Sequence, residues 1–423
     1  MLDTIRKIWN TPELRKKIIY TLLMLLLYRL VGVIPAPGVD KASLMSGTSM
    51  SNLALLDLVN MMTGNSFSNM TIMAMGITPY INASIIMQLL TIAIPALERM
   101  QKDESGQGRE KIARITRYVT VGLAVLQAIG LVAGLGYIKS GWLNYVLVGI
   151  SMAGGTALAM WIGERITAKG VGNGVSLLIF AGIINNLFTG IVSGFTSSTT
   201  TSGIINTVII LALAVVMTVL VTFVELGERR IPLQIAKQTK GRRVYGGQNT
   251  RMTLKVVSVG VLPLIFAYSF MAFPSTIIQL VDPSGSGSFT QWWTINMSTG
   301  SVLYVIISAL LIIAFTFFYS SISFDPKQQA EQLIMQGATI PGQRGKNMRQ
   351  YLQTTVNRLN LFAALFLAVL SAVPSLLTRT LNASVPFAAS SILIAVSVSL
   401  ETVRTVQGEQ SIRGIDVDKG GFM

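Results

Sequence analysis

Four polar side chains, Thr78, Asn82, Ser84 and Gln88, fall within the stretch Ile72 to Pro95, which carries no charge and is about long enough to cross a bilayer as a helix. Hydrocarbon cannot satisfy such groups, so they need partners inside the protein. At helical spacing Ile77, Ile81, Ser84 and Gln88 share one face, with branched apolar groups at one end and polar groups at the other. That face either lines an interior path or belongs to a span, kinked at Pro79, whose polar groups pack on neighbouring helices. Conventional catalysis has little to work with. The chain of 423 residues has no His and no Cys, which removes thiol chemistry, the commonest metal ligand and every Ser-His or Cys-His arrangement. No Gly-x-x-x-x-Gly-Lys-Ser/Thr occurs. The run Lys169-Gly-Val-Gly-Asn-Gly-Val-Ser176 has the look of a phosphate loop, but it opens an apolar span and follows no strand, which favours a flexible helix start. Neither an enzyme nor a cofactor or metal site is expected.

The elements that position these residues are membrane spans. The chain is 51% hydrophobic and 12% charged, whereas soluble domains carry about 25% charge. Ten apolar windows are long enough to span: roughly 18–35, 72–95, 117–138, 143–163, 173–194, 204–226, 256–278, 301–322, 358–377 and 385–403. The basic start, Arg6 to Lys17, resembles a signal peptide but lacks a small-x-small cleavage pattern, so it reads as a cytosolic start before an uncleaved first span. The connections alternate in charge. Nearly all of the 33 Lys and Arg fall on one side, leaving Arg29, Lys41, Lys139 and Arg379 to the spans and the far side. By the positive-inside rule the basic side and both termini are cytosolic, and this accounts for the net charge of +15 without nucleic acid. Far-side connections are rich in Ser, Thr and Gly, with Trp292 and Trp293 as interfacial anchors.

Ten spans divide into five and five, 1–195 and 196–423, and an odd number per half inserts the second half upside down, with a path at the interface. Two cytosolic connections are too long to be simple links. The one at about 227–255 carries turn signals for a hairpin-like protrusion, and in the one at about 323–357 Phe324-Asp325-Pro326 opens a short soluble helix. They are either solvated loops touching anionic lipid or docking surfaces, with Arg242 and Arg243 at a tight turn of the first. The apolar run Asn52–Met62 is about half a span, which leaves a re-entrant helix or one lying on the far surface. Arg29, Glu164, Glu225 and Glu401 lie toward span ends and none at a midplane, which disfavours an ion-coupled pump. A secondary transporter with inverted repeats and a structural subunit anchoring a complex stand as rival functions.

Met75-Gly-Ile-Thr-Pro-Tyr-Ile-Asn-Ala-Ser-Ile-Ile-Met-Gln-Leu-Leu90, Lys169 to Ile183, Arg229-Arg-Ile-Pro-Leu-Gln-Ile-Ala-Lys237 and Gly337-Ala-Thr-Ile-Pro-Gly-Gln-Arg344 closely resemble the SecY family of bacterial protein-conducting channels. The resemblance covers essentially the whole chain. It departs from the family pattern at Ala388-Ala389-Ser390, Gly345 and Val257. It implies an all-α polytopic membrane protein, ten transmembrane helices in two pseudo-symmetric inverted halves of five, with a short re-entrant plug helix at about 52–70. It implies a pore ring of Ile77, Ile81, Ile179, Ile183, Ile265, Ile277 and Ile394, a lateral gate with Asn82 and Gln127, and a plug that includes Leu53, Leu56, Asp57 and Val59. Arg229, Arg230, Lys237, Arg242, Arg243 and Arg344 would dock cytosolic partners. The implied partners are the SecE and SecG small membrane subunits, the SecA ATPase, the ribosome, signal sequences and nascent chains, and anionic lipid. The implied function is a passive conduit for unfolded polypeptide across, and sideways into, the bacterial cytoplasmic membrane.

Overall fold

The computed structural model describes residues 11–39, 60, 63–101, 107–135, 142–197, 201–235, 238–240, 243–245, 249–281, 287–297, 301–342, 346–381 and 389–412. A helix occupies each of the ten apolar windows. In chain order the helices up to the middle of the protein are α1 (Pro12–Val31), α2 (Thr78–Ala93), α3 (Pro95–Gln101), α4 (Gln107–Leu135), α5 (Trp142–Lys169), α6 (Gly174–Ser197) and α7 (Thr201–Leu226). Strands β1 (Glu228–Ile235), β2 (Gln238–Lys240), β3 (Arg243–Tyr245) and β4 (Asn249–Lys255) come next. Then come α8 (Leu262–Val281), α9 (Ser288–Asn296), α10 (Val302–Ser323), α11 (Pro326–Met335), the short β5 (Ala338–Thr339), α12 (Lys346–Leu381) and α13 (Ala389–Ile412). Among the described residues six helical stretches are each long and apolar enough to cross a membrane alone, and the bent pair α2–α3 makes a seventh.

The stretch beginning at Ile72 is not one kinked span. Residues 72–77 form turns and the helix starts at Thr78, with Pro79 in its first turn, where a missing N–H breaks no helical bond. The bend lies at the other end: α3 leaves α2 at 107° across Ile94 and Pro95. The glycine run also has a local explanation. Asn173 Oδ1 accepts from the amides of Val175 at 3.1 Å and Ser176 at 3.4 Å, capping α6 with its own side chain. A β-carbon at Gly174 would overlap the Gly163 carbonyl, so glycine here lets α6 start hard against α5.

Helices before Ser197 pack mainly on one another, and so do those after Thr201; across the divide α8 meets α4 and α2, while α7 and α13 meet α6. One apolar core joins α1, α2, α5, α6, α8 and α13, and a second joins α7, α8, α10, α12 and α13.

The two long loops form one small body with a separate core. In β1 the apolar Ile231 and Leu233 alternate with exposed Arg230 and Pro232, the period of a half-buried strand. β1 pairs antiparallel with β4, from Glu228 opposite Lys255 to Gln234 opposite Asn249, and also with β5 through Gln234 and Ile235. Pro232 lies opposite Arg251 of β4 and before the stretch that pairs with β5. Asp325 accepts from the amides of Lys327 at 2.8 Å and Gln328 at 3.4 Å, capping α11 as its sequence suggests. Leu333, Ala338, Ile340 and Leu352 then bury against Ile231 and Leu233. This three-stranded sheet and the antiparallel pair β2–β3 are the β component of the described residues in an otherwise helical fold.

Candidate pore site

Ile77 and Ile81 stand one turn apart at the start of α2, and Ile179 and Ile183 one turn apart on α6, so each pair presents a stripe of about 6 Å. Tertiary packing brings both stripes together with Ile265 of α8 and Ile394 of α13 in one buried cluster. Met73, Leu178 and Val398 belong to the same cluster, with Tyr28 of α1 and Ile162 and Ile166 of α5. The branched side chains are stiff and carry no polar atom, so the isoleucines offer water no hydrogen bond.

Ile277 does not join them. It is 46% exposed, and it lies twelve residues beyond Ile265 on the same helix, about 18 Å farther along the axis. Two residues so far apart on one helix cannot share a level with the α2 and α6 stripes. Six of the seven isoleucines therefore lie in this cluster, and Ile277 lies outside it.

A cavity of about 1140 Å³ opens on the cluster at the basic end of the bundle. Ile81, Ile179 and Ile265 line it, together with Ser84 and Gln88 from the polar face of α2. Its walls carry both signs of charge, with Glu164, Glu225 and Glu401 among Arg117, Arg165 and Arg404. Arg117 Nε meets Glu164 Oε1 at 2.7 Å and the Arg165 guanidinium stands over the Trp161 ring at 5.4 Å. The Ser397 hydroxyl donates to Glu225 Oε1 at 2.9 Å, joining α13 to α7. A second cavity, of about 650 Å³, is lined by Arg29, Gly64, Ser66, Asn69 and Asn185. Along α6 the order is Ser176 and Ile179 on the first cavity, Ile183 in the cluster, then Asn185 on the second, so the apolar cluster separates two polar spaces.

Asn82 lies on α2 and Gln127 is buried on α4, a helix that packs on α2 and on α8. Among the described residues, Asn82 Oδ1 and, one turn earlier, Thr78 Oγ1 are buried and find no hydrogen-bond partner. Arg229 and Arg230 are exposed on β1, and Arg243 begins β3. Leu53, Leu56, Asp57 and Val59, and likewise Lys237, Arg242 and Arg344, lie outside the described residues. Sequence reasoning missed Ser397, whose hydroxyl has no local signal, and the bonds of Arg29, which was visible only as a charge near a span end. The sole trace of Glu225 as a wall residue was its charge within an apolar run.

The SecY family model matches residues 71–403. The protein translocase subunit SecY of Corynebacterium glutamicum is 38% identical over 434 residues, covering 96% of this chain and 98% of that protein. Among solved structures, a protein-conducting channel superposes with a TM-score of 0.69 at 19% identity, covering 96% of this chain and 95% of the other. Sec61 in the canine ribosome-channel complex from the endoplasmic reticulum gives 0.64 at 18% identity, with 96% and 95% covered.

Proposed function

The chain belongs to the SecY family and is a protein-conducting channel, and we propose that unfolded secretory polypeptide passes through it between the helices up to Ser197 and those from Thr201, with membrane segments leaving sideways. The observation that carries this reading is the burial of Ile77, Ile81, Ile179, Ile183, Ile265 and Ile394 in one cluster between two polar cavities. In it the isoleucines are the seal of the idle channel: the apolar constriction excludes water and ions, and offers a passing chain nothing polar to bind. Each peptide group left unpaired in hydrocarbon costs several kcal/mol, and the charged, hydrated cavity removes that cost on the approach. The seam where α8 meets α4 and α2, beside Asn82 and Gln127, is the lateral gate, and 52–70 is the plug on the far side.

The sheet body carries Arg229 and Arg230, with Lys237, Arg242, Arg243 and Arg344 in the same connections, and it is the docking surface for the ribosome or the SecA motor. SecE and SecG complete the channel in the bacterial cytoplasmic membrane, with anionic lipid against the basic side and both termini in the cytosol. Mixed charge in the cavity suits polypeptides of either sign. A photoreactive residue at Ile81 tests this reading: a secretory chain stalled during translocation crosslinks there, and a chain that does not reach Ile81 while still being exported would overturn it.

A further inference from the structure

The short helix α9 joins two spans at the ends that lie away from the sheet body, since α8 follows β4 and α10 precedes α11. It therefore sits at the membrane boundary opposite the basic loops. Residues 283–301 carry no charge. The helix closes its own backbone: the Gln291 amide donates to the Gly287 carbonyl at 3.0 Å, and the Met297 amide to the Trp293 carbonyl at 2.8 Å. Asn296 Nδ2 donates to the Trp292 carbonyl at 2.9 Å. The Ser301 hydroxyl donates to the Asn296 carbonyl and accepts from the Tyr304 amide at 3.2 Å, which ties the end of α9 to the start of α10.

Three different faces run along α9. Trp293 packs on the second apolar core, which includes Met297 and Tyr304. Phe289, Trp292 and Ile295 follow one another at intervals of three residues, an arc of about 120° on a helix, and are 61%, 47% and 72% exposed. The Phe289 ring stacks on Trp292 at a centroid distance of 6.2 Å and leans on Trp293 at 6.0 Å, so an aromatic row runs from the core outward. Beyond Ile295 on the helix surface come Gln291 and Thr294, both exposed. The Thr294 hydroxyl donates to the Thr290 carbonyl at 3.0 Å. One face is thus docked on protein, the next is large and apolar, and the third is polar.

We infer that α9 lies in the bilayer interface on the side opposite the sheet body, with Phe289, Trp292 and Ile295 seated in lipid and Gln291 and Thr294 turned to water. An indole suits this boundary, because its body is apolar and its N–H can still reach water or headgroups. Of the two neighbouring tryptophans Trp292 is the lipid anchor, while Trp293 holds the helix to the protein. Interfacial helices commonly add basic side chains that bind anionic headgroups. None is present on α9, so its seat depends on apolar area and not on lipid charge. This contact is independent of the isoleucine seal.

The chain contains no Cys, so single introduced cysteines report cleanly from the full-length channel in phosphatidylcholine vesicles. With a hydrophilic maleimide on both sides of the membrane, Phe289→Cys, Trp292→Cys and Ile295→Cys react several-fold more slowly than Gln291→Cys and Thr294→Cys, although all five positions are open on the protein itself. Adding anionic lipid leaves this pattern unchanged. Equal rates at all five positions overturn the inference, and so do uniformly slow rates, which would mean that protein covers the polar face. A pattern that arises only with anionic lipid overturns the neutral seat. Quenching by brominated phosphatidylcholine separates lipid from a protein cover: Trp292→Phe lowers the quenched share of the tryptophan fluorescence, and Trp293→Phe leaves it nearly unaltered. Slow labelling of the apolar face without that loss in Trp292→Phe assigns the face to a protein partner and overturns the lipid contact.

Discussion

The Ser397 hydroxyl on α13 donates to Glu225 Oε1 on α7 at 2.9 Å, at the wall of the larger cavity. Removing the donor alone leaves a half-buried carboxylate with one bond fewer. Ser397→Ala therefore destabilises the protein by about 1–3 kcal/mol, read as a lower unfolding temperature in detergent. Glu225→Leu combined with Ser397→Ala destabilises less than Ser397→Ala by itself, because no charge is left to satisfy. Equal melting of Ser397→Ala and parent would rule out a structural contribution from this bond.

Polar groups in the constriction should admit water. Ile81→Asn with Ile183→Asn places two amides where side chains 8% and 1% exposed now meet, and raises idle ion conductance several-fold. The same change at Ile277, outside the cluster, leaves conductance unaltered. Single-channel recording, with the 52–59 segment deleted in every variant, separates the seal from the plug. Indistinguishable conductance of the double variant and the parent counts against the seal.

The seam between α8 and α4 depends on how its polar groups are paired. Replacing Asn82 and Gln127 together with Leu removes the unpartnered Asn82 Oδ1 and any hydrogen bonding at the seam, worth about 0.6–2 kcal/mol per contact. The hydrophobicity at which a test segment leaves sideways into lipid shifts accordingly. A graded series of segments inserting identically in both channels would refute this.

Charge on the sheet body steers association more than it sets fold. Arg344→Glu, or Arg242→Glu with Arg243→Glu, weakens partner binding and translocation, more at low salt than at high, while the protein still inserts. Arg230→Glu on β1 acts in the same direction because its side chain is exposed. Affinity that stays constant across a salt series would exclude these loops from docking.

Much of the fold was legible without coordinates. Ten apolar windows announced ten helices because a span needs about twenty apolar residues. The 77/81 and 179/183 stripes were legible too, since helical period is local. Depth in the bundle is not local. Ile265 and Ile277 have the same residue type on one helix, yet α8 carries the first into the cluster and leaves the second exposed about 18 Å away. Pro79 marked an irregularity, but its sequence could not distinguish a kink from a helix start, which depends on the turns that residues 72–77 make against their neighbours. The two basic loops each looked self-contained, and only the pairing of Ile235 with Ala338 shows that they share a sheet and a core. The Gly64 carbonyl, shared by donors 35 and 121 residues away, had no sequence signal at all. A carbonyl belongs to every residue, and which side chains reach it is decided by the packing of three separate segments.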